Sequence, residues 1–288
     1  VAEQPQAIKP IIEINDLSAK KGLRDLPWWF FAIILIAIYA IIIISTNEDF
    51  NSTFLFIKKG LSITISTTVI AYSLAIFFGL IAGLGRISKN VIINNLARLY
   101  VELIRGIPIL VLIFFIALVG VPLLVDQLNA FGYWLSEQGM EFLGKAFTAF
   151  TNQDVPMKTR AIIALAVTYG AYLAEIFRAG IQSIVKGQME AARSLGMSYG
   201  QAMRYVILPQ AIRNVLPALG NDFVAMVKDS SLVSVLGVRD ITQVGRLYAG
   251  TTFKFREVYI ILAVMYLTVT VVLSIVVQFI ERRLKTHD

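Results

Sequence analysis

Long apolar runs separated by short polar stretches dominate this chain, and the runs have the length of membrane-crossing helices rather than of strands. About 20 residues rising 1.5 Å each cross a hydrocarbon layer of roughly 30 Å. Six segments approach that length: 28–45, 61–85, 96–119, 161–184, 212–236 and 258–280. The pattern predicts an all-α polytopic membrane protein of about six transmembrane helices. The first run has an aromatic entry, Trp28, Trp29, Phe30 and Phe31, behind Pro27. The second carries Gly79 and Gly83, a spacing that permits close helix packing. Arg98, Glu102 and Arg105 precede Pro108 in the third, and Pro217 and Gly220 are expected to break the fifth.

Charge orients these runs. Lys20, Lys21 and Arg24 precede the first, Glu48 and Asp49 follow it, Arg86 and Lys89 follow the second, and Arg282, Arg283 and Lys285 follow the sixth. The positive-inside rule then places both termini in the cytoplasm. Arg239, Arg246, Lys254 and Arg256 run against this bias, in an external segment before the last run. A polar tail, 1–27, comes before the first run, which lacks a small-residue cleavage site and reads as a retained helix at 28–45 rather than a signal peptide. A long external segment, 120–158, holds Asp126, Glu137, Glu141, Lys145 and Asp154.

Composition narrows the chemistry. Hydrophobic residues make up 57% and charged residues 16%, so the net charge of +7 reflects basic loops facing an anionic leaflet, and no nucleic acid is implied. The chain has no cysteine, and its one histidine, His287, lies in the tail, so zinc-protease, haem and His-dependent triad chemistry are excluded. No G-x-x-x-x-G-K-[ST] string occurs, so ATP is not bound here through a P-loop and the chain is not an enzyme by itself.

The polar stretch after the fourth run, EAARSLGMSYGQAMRYVILP from Glu190 to Pro209, has a definite local logic. Gly187 is expected to end the preceding helix and Gly196 the next, since glycine accepts the left-handed conformation at a helix C-terminus. Ser198 and Gln201 have capping-box spacing, so a second short helix starts at Tyr199 and runs until Pro209 removes a donor. Ala191 and Ala192 leave one face without bulk, while Arg193 and Arg204 add positive charge. Within the spans, Glu175 and Arg178 stand at i,i+3, and Lys228, Asp229, Ser230 and Ser231 form a polar cluster. Lys228 and Asp229 point about 100° apart and need separate partners, with Glu175 the candidate for Lys228. The alternatives are a packing pair for Glu175 and Arg178, and a fifth span so short that the cluster sits at its external end.

The stretch from Glu190 to Pro209 resembles the EAA loop of ABC-importer permeases, departing only at Val206, where the wider pattern has Ile. The runs 171–198 and 208–232 and VELIRGIPILV at 101–111 are similar to the polar amino-acid branch, the relatives of histidine, glutamine and arginine permeases; the similarity covers roughly 54–283. The added first helix and the 120–158 insertion resemble the subgroup of broad specificity. The resemblance implies a type I importer fold in a bacterial inner (plasma) membrane, with a permease domain over 46–288 and a coupling loop over 188–209. It implies a second permease chain, homologous or identical, two ATPase subunits that bind ATP and Mg, and an external amino-acid-binding protein, with no cofactor in this chain. Glu190, Ala191, Ala192, Gly196, Leu208 and Pro209 then carry ATPase coupling, and Glu175, Lys228, Asp229, Ser230 and Ser231 are the candidates for the substrate pathway. The first helix is expected at the periphery, and the 120–158 segment facing the binding protein. Two alternatives remain: a scaffold subunit whose partner permease holds the substrate site, and a secondary transporter, for which an ATPase-docking loop has no use.

Overall fold

The computed structural model describes residues 28–149 and 151–285, all helical apart from short connections, with no strand among the described residues. The tail 1–27 and His287 lie outside them. Thirteen α-helices follow one another: α1 (Trp28–Thr46), α2 (Glu48–Ile57), α3 (Leu61–Arg86), α4 (Val91–Gly106), α5 (Ile109–Phe115), α6 (Val121–Glu137), α7 (Glu141–Thr148), α8 (Met157–Gln182), α9 (Lys186–Ser194), α10 (Tyr199–Ala202), α11 (Leu208–Asp229), α12 (Ile241–Thr252) and α13 (Phe255–Lys285).

The parallel pair α3 and α8 forms the centre. Association in a bilayer depends on close packing, because lipid tails are as apolar as leucine. The sequence meets this with glycine: a Cβ on Gly79 would lie 2.6 Å from Cβ of Leu173, and one on Gly83 would lie 2.8 Å from the carbonyl of Ala174. Gly170 does the same from α8, 2.9 Å from Cβ of Phe78. The apolar stretch of α8 is 67% buried and that of α13 17%, which makes α8 the axis and α13 a wall. Ala71, Ala75, Ile113, Leu165, Leu173, Met226 and Val233 fill the core between α3, α5, α8 and α11. A second cluster, with Phe50, Ile57, Ile241, Val258 and Ile261, joins α2, α12 and α13, and among the described residues α1 packs chiefly against this outer group through α2 and α13.

Several boundaries differ from those the apolar runs predict. The third run does not form one helix over 96–119. Ile107, preceding Pro108, is forced to extended backbone (φ −109°, ψ 138°), and this separates the amphipathic α4 from α5. Gly120 does not end the span either: a π turn, Ile116–Gly120, carries the helix into α6, so 121–137 is a continuation of the apolar helix rather than an external loop. By length and composition, the continuous Ile109–Glu137 helix is one of four helices among the described residues able to cross a membrane, the others being Glu48–Arg86, Met157–Gln182 and Phe255–Arg283. Pro217 and Gly220 do not break the fifth run. α11 passes through both, and the chain leaves α-geometry only at the 3-10 segment Ser230–Leu236. Gly220 serves contact instead, since a Cβ there would sit 2.5 Å from a methyl of Val277 on α13. Tyr72 Oη donates 2.5 Å to the carbonyl of Leu219 one turn along.

Replacing Gly79 by leucine is expected to force α3 from α8 and to destabilise the folded chain by about 1–3 kcal/mol, the usual cost of overpacking. Gly187→Leu, where a Cβ meets nothing within 4 Å, is expected to leave stability unchanged. Thermal unfolding of the two variants in detergent checks the contrast.

Candidate functional site

Two groups of residues carry the chemistry: a polar cluster where α11 meets α3 and α8, and the helical elbow between α8 and α11. In the first, Asp222 and Asp229 stand seven residues apart, which puts them about 20° from each other on one face of α11. Gly180, whose Cβ would strike Val215, and the Tyr169–Asp229 contact show that α11 runs antiparallel to α8. Tyr169 Oη donates 2.6 Å to Asp229 Oδ2, and the rings of Tyr169 and Tyr172 lie 6.0 Å apart. The ring of Tyr72 packs 5.0 Å from Phe223, beside Asp222. Asp222 Oδ2 is buried without a hydrogen-bond partner, an arrangement that costs free energy unless a proton or cation compensates it. The hydroxyl of Ser230 is buried and donates 2.7 Å to the carbonyl of Val227, while Ser231 is half-buried. Lys228 is exposed, turned from the face that holds Asp229.

The expected pairing of Glu175 with Lys228 is not what the structure shows. Arg86 Nη1 lies 2.7 Å from Glu175 Oε2, and Arg178 donates to Oε1. The parallel register of α3 and α8 is the cause, because it brings the last residue of α3 beside Glu175. The same Arg86 is 3.8 Å from Glu102 of α4, and the Arg105 guanidinium lies 5.7 Å from the Tyr172 ring centre. The i,i+3 pair of Glu175 and Arg178 is present as its spacing predicts. Asp222 and Tyr169 were not singled out from the sequence, and Arg86 was read there only as a loop charge. The seven-residue interval from Asp229 was the available signal for Asp222, whereas the other two depend on tertiary register.

In the elbow, α8 ends at Gln182 and the linker of Ser183, Ile184 and Val185 leads into α9. Gly187 lies inside α9 and ends nothing. Gly196 does end α9, with φ +85°. The N–H of Met197 donates to Ala192 O (3.2 Å) and that of Gly196 to Arg193 O (3.1 Å), which is the Schellman closure. The Ser198–Gln201 capping box is complete, with Gln201 N–H donating to Ser198 Oγ (3.3 Å) and Ser198 N–H to Gln201 Oε1 (2.8 Å). Pro209 does not stop the helix. A π turn, Met203–Ile207, widens the ladder so that α10 flows into α11, and Gln210 Nε2 donates 2.9 Å to the carbonyl of Val206. Ala191 and Ala192 do not share a face: Ala192 is buried, whereas Glu190, Ala191, Leu208 and Pro209 are exposed. Leu195, 82% exposed, and Tyr199 make the tip apolar.

The sequence matches, over residues 75–286, the family described as binding-protein-dependent transport system inner membrane component. The chain belongs to this family. It is a permease subunit of an ABC importer, and its similarity to known members runs through the bundle and the elbow alike. It is 37% identical over 235 residues to the probable amino-acid permease protein YxeN of Bacillus subtilis, covering 82% of this chain and 94% of that one. It is 34% identical over 227 residues to the glutamine transport system permease protein GlnP of Escherichia coli, covering 79% and 92%. A solved structure described as an amino acid ABC transporter with histidines superposes with a TM-score of 0.65 at 37% identity, covering 82% of this chain and 95% of that one.

The Arg86–Glu175 pair of this permease is half-buried, so it is expected to couple α3 to α8 measurably. A double-mutant cycle with Arg86→Leu and Glu175→Gln is expected to give an interaction of about 0.5–3 kcal/mol in thermal unfolding. A cycle with Lys228→Met in place of Arg86→Leu is expected to give none.

Proposed function

We propose that this permease carries amino acids across the bacterial inner membrane, and that the Tyr169–Asp229 contact beside the unpaired Asp222 carries the reading. Two carboxylates on one face of α11, surrounded by hydroxyls rather than cations, form a site of negative potential inside the bundle. The ammonium of an amino acid has the complementary charge. Lys228 and the hydroxyl of Ser231 supply donors for its carboxylate on the adjoining surface of the helix, while the buried Ser230 hydroxyl serves its own helix. The printed names of the similar permeases support an amino acid as cargo. In this reading Glu175 braces the helices and belongs to the pathway only through their packing.

The apolar tip around Leu195 and Tyr199 fits an ATPase subunit in the cytoplasm. Its two copies bind ATP and Mg, a second permease completes the path, and an external binding protein delivers the cargo. Both termini then face the cytoplasm. Glu190, Ala191 and Gly196 act in the elbow, with Leu208 and Pro209 transmitting its movement into α11. Because Tyr169 already engages Asp229, and Ser230 bonds its own helix, a second reading keeps this chain as scaffold and puts the substrate site in the partner permease.

Substitution in this chain alone separates the two readings. Losing one charge-assisted hydrogen bond is worth about 1.5–3 kcal/mol, or roughly 10–100-fold. Asp229→Asn and Lys228→Met are each expected to reduce amino-acid uptake into liposomes by that factor while basal ATP hydrolysis persists. Normal uptake by both variants would assign the site to the partner.

Gly196 gives a separate test of the elbow. A β-branched side chain at φ +85° is strained, whereas asparagine tolerates that region. Gly196→Val is therefore expected to abolish substrate-stimulated hydrolysis and uptake together, and Gly196→Asn to restore much of both. Equal activity of Gly196→Val and the unsubstituted transporter would remove the elbow from the coupling route.

A further inference from the structure

The helix that begins at Ile109 continues unbroken to Glu137, 29 residues in all. At 1.5 Å per residue it is about 43 Å long, more than the roughly 30 Å of hydrocarbon it has to cross. Its register against the bundle shows where the excess lies. Arg160, at the start of α8, donates to the carbonyl of Ala117 (3.3 Å), and Asn152 Nδ2 donates to Asp126 Oδ1 (2.8 Å). The remainder of α6, with α7, therefore projects at the end of the bundle opposite α9 and α10. Among the described residues, α6 and α7 pack chiefly on each other.

This projection is a built hairpin. The two backbones meet at glycines, with a Cβ on Gly132 falling 2.8 Å from the carbonyl of Gly144 and one on Gly144 falling 2.6 Å from that of Gly132. Phe131 and Phe147 pack edge-to-face at 5.3 Å, and Gly139 makes the turn with φ +84°. Its exposed surface is largely apolar, with Tyr133, Trp134, Leu143 and Phe142, the last 86% exposed, beside the acidic Glu137 and Glu141. Lys145 and Glu141, both exposed, pair at 3.4 Å, so α7 carries no net charge.

We infer that this hairpin is seated in the headgroup region of the leaflet opposite the elbow, with a lipid surface as its partner. Three observations agree on that occupant. Exposed apolar side chains at Leu110, Phe114, Leu118 and Leu123 lead along the same helix toward the hairpin, giving way to polar Asp126 and Gln127 only at its base, so the lipid-facing part of the helix adjoins the hairpin. Tryptophan, tyrosine and phenylalanine gathered at the end of a span are the composition of the interfacial aromatic belt, and a short amphipathic helix such as α7 suits the same zone. The π turn at Ile116–Gly120 and Pro122 loosen the ladder where the helix leaves the bundle, which is where a helix inclines most readily. A binding protein that comes and goes would leave this surface in water for part of each cycle, a condition that soluble surfaces avoid.

The absence of cysteine from the chain makes the test direct. Phe142→Cys and Tyr133→Cys each take one nitroxide in the assembled transporter, its other subunits made cysteine-free, in nanodiscs of phosphatidylethanolamine and phosphatidylglycerol, with the same nitroxide free in buffer as the aqueous reference. The ratio of collisions with oxygen to collisions with a water-soluble nickel chelate is expected to be several-fold higher at positions 142 and 133 than for the free label. Ratios equal to that of the free label would overturn the assignment. A low ratio that changes when an external binding protein is added would give the surface to that protein, and spin–spin broadening between labels would give it to a second copy. Either result would also overturn it. Position 142 is so exposed that its substitution leaves the hairpin packing intact, so a negative result cannot be charged to misfolding.

Discussion

Close contact between α3 and α8, made possible by Gly79, Gly83 and Gly170, sets the register on which the remaining contacts depend. In a bilayer the helices gain nothing from leaving water once they are inserted, so van der Waals contact at short range has to hold them. With the two backbones together and parallel, Arg86 falls beside Glu175 at one end, and Lys158 Nζ reaches Ser66 Oγ at 3.0 Å at the other. Between these ends Tyr72 and Tyr169 are presented to α11, one to a backbone carbonyl and one to a carboxylate. A shift of one residue along this pair would displace both end contacts, and α11 could then keep only one of its two tyrosine contacts.

The path from the elbow to the polar cluster follows from chain connectivity. α8 enters the elbow and α11 leaves it, and these two helices carry Tyr169 and Asp229. From Leu208 to Asp229 the helix is continuous, so about 30 Å of hydrogen-bonded backbone joins the elbow to the cluster. The crossing of Gly180 on Val215 lies near the elbow and fixes the two helices closely there. Asn214 Nδ2, donating 2.9 Å to Ser183 Oγ, closes the same corner.

What could be read in the sequence was whatever depended on local geometry. The apolar runs located α1, α3, α8 and α13, the Ser198–Gln201 spacing gave its capping box, Gly196 its left-handed turn, and the i,i+3 spacing the Glu175–Arg178 pair. Proline was misread twice in α11, for two reasons. At Pro209 the preceding π turn absorbs the missing donor, and at Pro217 tertiary packing keeps the helix going where propensity alone would stop it. Gly220 looked like a breaker because a glycine that admits a neighbouring helix is indistinguishable, in one sequence, from one that bends its own. Arg86 was legible as a loop charge and not as the partner of Glu175, since only the register of two distant helices brings them together. The amphipathic turns of α6 and α7 were hidden inside a segment whose charges made it look like a loop.

The acids in the bundle divide by the company they keep. Glu175 is met by two guanidinium groups, so its charge is neutralised locally and little of its field extends along the helix. Asp229 has a phenol for a partner, which hydrogen-bonds to the carboxylate without cancelling its charge, and one oxygen of Asp222 has none. A field that remains uncancelled in a low-dielectric setting acts over a longer distance than one that is paired. One acid is thus tied into the packing of α3 and α8 by guanidinium groups, whereas the other two lie on α11, the helix that grows directly out of the elbow, with a phenol as the one side-chain hydrogen-bond partner between them among the described residues.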